Sequence, residues 1–380
     1  MNLDIAIVLP HFEINGEKQD LRWKKIEREI CICKLLNDHN NVNAKFFLPQ
    51  KGKQSPPHWI ELDHSKIYLY KVNKDNKNQS DFAISNDLLN ELKIFNPRII
   101  ITKPLGYRFH LWLISSFRKS EVILISGGLR RDNGILKYSQ LFLAESNKQI
   151  NLLLKNNNKS KVLMKNANIE LDIKKNIKNK YDFICIGRLN KNKNLESILE
   201  LGKLFKGIII GNGPEYLNLE RIIKKNKLNI LMKGELDRKQ TLTHLRESSI
   251  LLHPSLSEGV PRVFAEAKVL GVPIIAFENS NLASKDEFPN LNELKRNSNI
   301  TKEFTKILGL IKKDKFSNKN KENSLNSFQI YQEEYSKNLD DIVNSIIKVK
   351  RSSSLRLTLR FVEVYLRYSI NRIKSILKGK

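Results

Sequence analysis

Two glutamates frame the chemistry this chain could do. In the segment SEGVPRVFAEAKVLGVPII, Ser257 to Ile275, Glu258 and Glu266 stand with seven residues between them, Gly259-Val260-Pro261 marks a helix start, and Gly271-Val272-Pro273 enters a strand. Pro261 suits the first helical position, where its missing N–H costs nothing, and Gly259 lets backbone approach a ligand closely. The open N–H groups of such a start, at the positive end of the helix, make a ready site for a diphosphate. Eight residues of helix cover about 12 Å, so Glu258 at the mouth and Glu266 further inside can address two separated ends of one extended ligand. A sugar on one side of a diphosphate and a ribose on the other would fit that span.

Two further stretches point to the same ligand class. In FICIGRLNKNKN, Phe183 to Asn194, a strand ends in Gly187-Arg188 and a basic loop carries Lys191 and Lys193. Arg188 can fork onto a phosphate, while Lys193 supplies a mobile point charge. In IIIGNGPE, Ile208 to Glu215, a strand ends in Gly211-Asn212-Gly213-Pro214, where missing side chains allow close approach of a nucleotide. Each element alone has a plainer reading: a turn for the glycines, a surface ion pair for the arginine, a solvated helix face for the two glutamates. Their order and spacing together favour a shared ligand.

These residues need a scaffold, and the hydrophobic pattern supplies one. Short apolar runs alternate with amphipathic segments along most of the chain. Strands are expected at Ile5 to Leu9, Ala44 to Leu48, Ile67 to Tyr70, Arg98 to Thr102, Glu121 to Ile125 and Leu141 to Ala144, then at Phe183 to Gly187, Gly207 to Ile210, Asn229 to Met232, Ile250 to Leu252 and Pro273 to Ala276. Helices are expected over Lys18 to Leu36, Ser85 to Phe95, Tyr107 to Phe117, Leu195 to Phe205, Tyr216 to Lys225, Lys239 to Arg246 and Val260 to Leu270. Continuous apolar strands separated by helices indicate parallel sheets covered on both faces, an α/β architecture. The pattern restarts near residue 180, after the polar stretch Ile173 to Lys180. The expected organisation is therefore two Rossmann-like, doubly wound domains, 1–177 and 178–330, facing a central cleft, then a helix at 331–350 and a basic tail at 351–380. Ligands of such sheets bind outside the carboxyl ends of the strands.

Composition narrows the classes. A chain of 380 residues with 40% apolar residues can bury two cores and is neither disordered nor fibrous. Its three cysteines, Cys31, Cys33 and Cys185, make no disulfide framework, and none pairs with His at a metal-ligand spacing, so reduced thiols are expected. No apolar run is long enough to span a bilayer. Met1 leads directly into a strand with no signal-peptide pattern, which implies a cytoplasmic protein. The net charge of +27 suggests an anionic partner. Much of it is diffuse lysine, 49 Lys against 18 Arg, in a chain rich in Asn and Ile as biased codon use would give.

The Gly-Arg and Lys pair at 187, 188 and 193, Gly211-x-Gly213-Pro214, Gly234 after a strand, Pro254-Ser255, and Glu258-Gly259-x-Pro261 with Glu266 together resemble glycosyltransferase family 4, the retaining glycosyltransferases of GT-B fold. The resemblance covers Tyr181 to Ala276. It implies that Arg188 and Lys193 hold the diphosphate of a nucleotide-sugar donor, that Glu258 lies by the donor sugar, and that Glu266 accepts hydrogen bonds from the ribose hydroxyls. Backbone N–H groups from Gly259 and Val260 onward would reach the phosphates, Gly211, Gly213 and Gly234 would give the nucleotide room, and the loop Met232 to Gly234 would read the base. No cofactor or metal is implied beyond the donor itself, in keeping with the lack of an Asp-x-Asp motif in the second half. In the first half the resemblance is looser. The loop Pro10 to Gln19 carries only Gly16 where the family has two glycines, and Ser126-Gly127-Gly128 stand where many members have a cleft His. His11 and His110 are candidate substitutes, each with a structural alternative, and Arg130 and Arg131 fit either an anionic acceptor such as a lipid pyrophosphate or a solvated charge pair. Val162 to Asp172 resembles a worn version of the strand and turn that end the family's first domain.

The last 33 residues carry ten basic side chains and one acidic, Glu363. Wound at about 100° per residue, Arg356, Arg360, Arg367, Lys374 and Lys378 fall on a narrow stripe of an otherwise largely apolar helix. Such a helix suits an anionic membrane surface or packs onto the first domain. No nucleic-acid recognition motif accompanies the charge. The sequence thus predicts a retaining, metal-independent glycosyltransferase at the inner face of the cytoplasmic membrane, acting on a lipid-linked or polysaccharide acceptor. A GT-B-fold sugar-nucleotide epimerase and a catalytically silent binding protein are the alternatives.

Overall fold

The computed structural model describes residues 2–10, 26–50, 56–62, 65–72, 84–103, 108–127, 135–154, 159–167, 169, 179–296, 298–313, 324–353, 362–363 and 366. Among them the chain divides into two compact units. The first comprises Met1–Glu145, Ile150–Leu163 and Lys337–Lys380, and the second Ser146–Gln149 and Met164–Ser336.

In the first unit the strands are β1 (Leu3–Val8), β2 (Val42–Pro49), β3 (His58–Leu62), β4 (Ser65–Tyr70), β5 (Ile99–Thr102), β6 (Glu121–Ile125), β7 (Leu141–Ala144) and β8 (Ser160–Val162), in the order β3-β4-β2-β1-β5-β6-β7-β8. Every pairing is parallel except that of β3 with β4, which is antiparallel. The parallel strands read as unbroken apolar runs because helices cover both faces. The edge strand β3, HWIEL, escapes that pattern: it is short and mixed in polarity, with Trp59 set edge-on to Phe47. The helices are α1 (Glu27–Asn37), α2 (Asn86–Phe95), α3 (Arg108–Ser116) and, from Ile150 onward, α4 (Asn147–Leu153).

The second unit holds β9 (Phe183–Ile186), β10 (Gly207–Ile210), β11 (Ile230–Met232), β12 (Leu251–His253), β13 (Ile274–Phe277) and β14 (Leu291–Leu294), all parallel, in the order β11-β10-β9-β12-β13-β14. Successive strand residues feed opposite faces, as a period of two requires. Ile184, Ile208, Ile210, Leu251, Ile274 and Ala276 enter one core, whereas Phe183, Cys185, Ile209, Leu252, Ile275 and Phe277 enter the other. Full burial of such a side chain contributes about 1.5–3 kcal/mol, so this alternation ties the sheet's register to both layers of helix. Those layers include α5 (Tyr216–Lys225), α6 (Arg238–Arg246), α7 (Arg262–Val269), α8 (Ile300–Lys313) and the start of α9 (Ser324–Ile347). The strand order reverses between β9 and β12.

Several boundaries differ from the sequence reading for physical reasons. The division between units falls at Leu163/Met164 rather than 177/178, because Ala167 and Ile169 are buried in the second unit's core. Leu195–Lys203 is a 3-10 rather than an α-helix. Leu195, Ile198 and Leu201 recur every third residue, which matches its three residues per turn, and all three are buried. Helix α9 begins at Ser324, ahead of the expected Tyr331. It is held in the second unit by Tyr331, whose hydroxyl donates to the Lys165 carbonyl at 2.6 Å, and its residues from Lys337 onward belong to the first unit. Strands β3 and β14 and helices α4 and α8 were not anticipated, and β8 meets the worn strand read at Val162 to Asp172 only at Val162.

After α9 the chain is fastened to the first unit at the amino ends of its strands. Arg98 donates to the Val349 carbonyl at 2.9 Å, and the Gln140 amide donates to the Ser352 hydroxyl at 2.7 Å. Ser352 in turn gives Glu121 its N–H at 2.6 Å and its hydroxyl at 3.1 Å. The basic tail lies outside the described residues apart from Val362, Glu363 and Leu366; Glu363 pairs with Lys137. No helix among the described residues is long and apolar enough to cross a membrane. All three cysteines are free thiols, and burial pushes the Cys33 thiol up to about 12.

Candidate active site

The carboxyl ends of β9 and β10 lie side by side, and the loops that leave them are built on glycine. Gly211 has φ +135 and Gly213 φ +156. A Cβ on Gly211 would stand 1.9 Å from the Gly187 carbonyl oxygen, and one on Gly213 would stand 2.3 Å from that of Leu189. No side chain fits either position, so the two loops can close on each other only as glycine. They are then stitched together: Gly187 donates to the Ile210 carbonyl at 3.0 Å, Leu189 to Asn212 at 2.9 Å, and Gly211 to Gly234, which follows β11, at 2.7 Å. Beside this seam is a cavity of about 520 Å³ lined by Gly187, Arg188, Gly211, Gly213, Glu235 and Thr241, among others. Arg188 is exposed at its rim.

The basic loop after β9 meets the loop after β12 across the point where strand order reverses. Asn190 caps a short 3-10 turn, Lys191–Lys193, and its side chain accepts from the Lys193 N–H at 3.2 Å. Lys193 then places its ammonium 2.8 Å from Glu258 Oε1. Asn192, which sequence reasoning missed, locks the same contact: its amide donates to the Ser257 carbonyl at 2.8 Å, and its own carbonyl accepts from Leu256 N–H at 2.8 Å. Glu258 N–H donates to the Ser280 carbonyl at 2.7 Å. Both partners of the ion pair are partly buried, so they remain within reach of a ligand while less screened than a surface pair.

Under Lys193, His253 is buried at the end of β12, its ring 3.1 Å from the Ser255 hydroxyl. Burial, reinforced by the Lys193 charge, pulls this imidazole down to about 3, so it is neutral at ordinary pH. The residual space among Cys185, Lys193, His253 and Ser255 is about 10 Å³, near the lower limit for one water.

Helix α7 starts at Arg262, two residues after the expected Val260. Pro261 is its N-cap, at φ −64 and ψ 133, rather than its first helical residue, and no side chain caps the first turn. Glu266 lies on this helix with its side chain 3% exposed, and it is paired at 2.7 Å with Arg238 at the start of α6. Burial raises its pKa, against the pull of Arg238 and Arg262. Arg238 carries no motif in the sequence; the one local sign is Asp237, whose side chain accepts from Gln240 N–H and caps α6.

Of the residues singled out by sequence, the structure brings Lys193 and Glu258 into contact, places Arg188, Gly211 and Gly213 around one cavity, and buries Glu266. Gly16, His11, Gly128, Arg130 and Arg131 lie outside the described residues. His110 is fully buried on α3 against Phe109, and Ser126 is buried beside β7, its N–H donating to Leu143. His110 therefore fits its structural alternative. Among the described residues, no group of three or more His, Cys, Asp or Glu could hold a metal ion.

Residues 168–284 match the family model described as glycosyl transferases group 1. Over 100 residues the chain is 32% identical to the amylovoran biosynthesis glycosyltransferase AmsD of Erwinia amylovora, a match spanning 25% of this chain and 28% of that relative. Solved structures align across far more of the molecule. A glycosyltransferase from Rickettsia africae covers 92% of this chain and 100% of its own, with a TM-score of 0.62 at 17% identity. The lipopolysaccharide outer core galactosyltransferase WaaB covers 85% and 99%, with a TM-score of 0.57 at 15% identity. The pneumococcal O-GlcNAc transferase GtfA, solved with UDP and GlcNAc, covers 92% and 99%, with a TM-score of 0.59 at 12% identity. The chain has the two-domain, parallel-sheet α/β fold of the GT-B glycosyltransferases, and the residues that match the group 1 family model are those that build the site.

Proposed function

We propose that this chain is a retaining, metal-independent glycosyltransferase of family 4 type, moving a hexose from a nucleoside-diphosphate-sugar to a lipid-linked or polysaccharide acceptor. The observation that carries the reading is the Lys193–Glu258 pair at the reversal of strand order, next to a glycine-walled cavity and inside the region that matches glycosyl transferases group 1. The acceptor class rests on the names of two similar proteins, one of amylovoran biosynthesis and one of the lipopolysaccharide outer core, and the donor class on the UDP held by GtfA.

In this reading Arg188, Lys193 and the N–H groups from Gly259 and Val260 hold the donor diphosphate. As the anomeric C–O bond breaks, negative charge builds on the diphosphate and positive charge on the sugar. Cations and backbone dipoles already in place favour that separation, and groups of this kind contribute about 10²–10³ in rate each. Glu258 lies by the sugar and releases Lys193 to the incoming phosphate. The acceptor attacks from the face the diphosphate leaves, giving retention, and the diphosphate takes the acceptor's proton. Fixed cations stand in for a divalent ion. The tail at 351–380 holds the enzyme to an anionic membrane surface on the cytoplasmic side.

A panel of UDP-, GDP- and ADP-sugars tests the reading. One donor raises the melting temperature and is slowly hydrolysed, both effects disappear in Glu258→Ala and Arg188→Ala, and EDTA changes neither. Indifference to every donor would refute the proposal. Conversion of the sugar while it stays on its nucleotide would identify an epimerase instead. Loss of liposome flotation on removing residues 351–380 tests the membrane role.

A further inference from the structure

Glu266 is more deeply buried than a ligand-reading carboxylate on a solvated helix face would be, and its partner comes from another element. Arg238 opens α6, the helix that also sends Thr241 to the cavity wall, and Glu235 and Leu236 just before it line the same wall. The helix start is fixed twice by Asp237, whose side chain accepts from Gln240 N–H at 2.7 Å and whose carbonyl accepts from the Thr241 hydroxyl at 2.8 Å. Arg238 and Thr241 lie three apart on one helix face. Hence a cation on the helix that supplies Thr241 to this wall pairs with a carboxylate on α7, with Arg238 Nη2 2.7 Å from Glu266 Oε1.

Arg238 takes up only part of what the carboxylate can accept, so Glu266 keeps acceptor capacity. A buried carboxylate without a charge partner would take up a proton. Once protonated it loses acceptor capacity and becomes a donor. The charged groups acting on Glu266 are Arg238 from α6 and Arg262 from its own helix; Arg262 is exposed, whereas the Arg238 side chain is 25% exposed and in direct contact.

We infer that Arg238 is a positioning residue for donor recognition: it fixes the Glu266 carboxylate and keeps it charged, so that its remaining lone pairs accept from the vicinal hydroxyls of the donor's nucleoside. This rests on the glycosyltransferase reading above. It assigns Arg238 no contact with phosphate or with the reacting sugar. Its removal should therefore raise the donor KM and leave kcat nearly unchanged.

The test uses the full chain as wild type, Arg238→Gln and Arg238→Lys. Two quantities are measured: the Glu266 titration by carboxyl-labelled NMR without ligand, and the affinity for UDP, GDP and ADP and their 2′,3′-dideoxy counterparts from pH 5.5 to 8.5. Arg238→Gln should raise the Glu266 pKa and weaken the hydroxyl-bearing nucleotide by about tenfold at pH 7.5, as loss of a charge-assisted contact does. The deficit should grow as pH falls. Arg238→Lys keeps the charge and should recover most of the affinity, and the dideoxy nucleotides should bind all three proteins alike. Equal weakening of dideoxy and ordinary nucleotides, or an unchanged Glu266 titration with unchanged affinity in Arg238→Gln, would overturn the inference. Failure of the wild type to bind any nucleotide would overturn the glycosyltransferase reading, and with it the hydroxyl assignment, whatever the NMR titration gives.

Discussion

Glu29 in the first unit and Glu266 in the second are both buried carboxylates on helices that cover parallel sheets, and their environments displace them in opposite directions. Burial pushes Glu29 up, but Lys103 at 2.8 Å and Arg28 at 3.1 Å outweigh it and hold its carboxyl well below the usual range. Glu266 has one direct partner, Arg238, and burial prevails. A third, Glu121, has both oxygens engaged by Ser352, and it fastens the end of the chain. The number of partners separates structural carboxylates from one that keeps capacity for a ligand. Glu29 is saturated by two cations, one of which, Arg28, also donates to the Leu163 carbonyl at 3.1 Å. Glu266 has one cation in direct contact and retains acceptor capacity. Similar burial on similar folds can therefore serve stability in one unit and, in the role proposed above, recognition in the other.

The contrast can be broken experimentally. Glu29→Ala leaves Arg28 and Lys103 buried without their counter-charge and should cost about 3–5 kcal/mol of stability, read as a lower urea midpoint for the first unit. A cost under about 1 kcal/mol, the range of surface pairs, would remove the structural half of the comparison. Glu266→Gln should do the reverse: donor affinity falls by roughly 10–100-fold, the scale of a hydrogen bond to a charged group, with no loss of melting temperature. Glu121→Ala strands the Ser352 N–H and should cost about 1–3 kcal/mol; limited proteolysis should then cleave near residues 349–353.

The smallest effect is in pH dependence, and its sign differs between the two sites. The Glu29 pKa is lowered in the folded state, so its stabilisation is present above the unfolded carboxylate value of about 4.3 and is lost as pH falls from there towards its own lowered value. The Glu266 pKa is raised, so its charge opposes folding above that value, and the opposition is relieved as pH falls through it. Melting curves from pH 7 to 3 should show a shallower acid loss in Glu29→Gln than in wild type. Glu266→Gln should gain stability relative to wild type at neutral pH and converge on it in acid.

Local pattern made much of the second unit legible. Gly207–Ile210 and Tyr216–Lys225 match their expected bounds, and the other strands expected there end within one residue of expectation. A continuously apolar strand covered on both faces has a pattern that needs no partner to recognise. Elements that depend on neighbours were not legible. Strand β3 exists because β4 offers an edge, and β14 because β13 does. The 3-10 character of Leu195–Lys203 depends on packing in which Gly202 lies against Leu228 and Ile230. The same distinction holds at the site: Arg188, Lys193, Glu258 and the glycines announce themselves by type and spacing, whereas Arg238 and Asn192 matter only through residues far along the chain.

By itself, the sequence determined the α/β class, the glycine-ended strands and the choice of chemical groups, since these follow from periodicity and from what each side chain can do. Only the tertiary structure decided which groups meet: that Lys193 is held by Glu258, 65 residues away in sequence, that Arg238 pairs with Glu266, and that the unit boundary falls at Leu163/Met164. The reason is that burial and pairing belong to assembled elements. A carboxylate's charge, exposure and remaining lone pairs depend on what packs against it, and that is set by strand order and helix docking rather than by spacing along the chain.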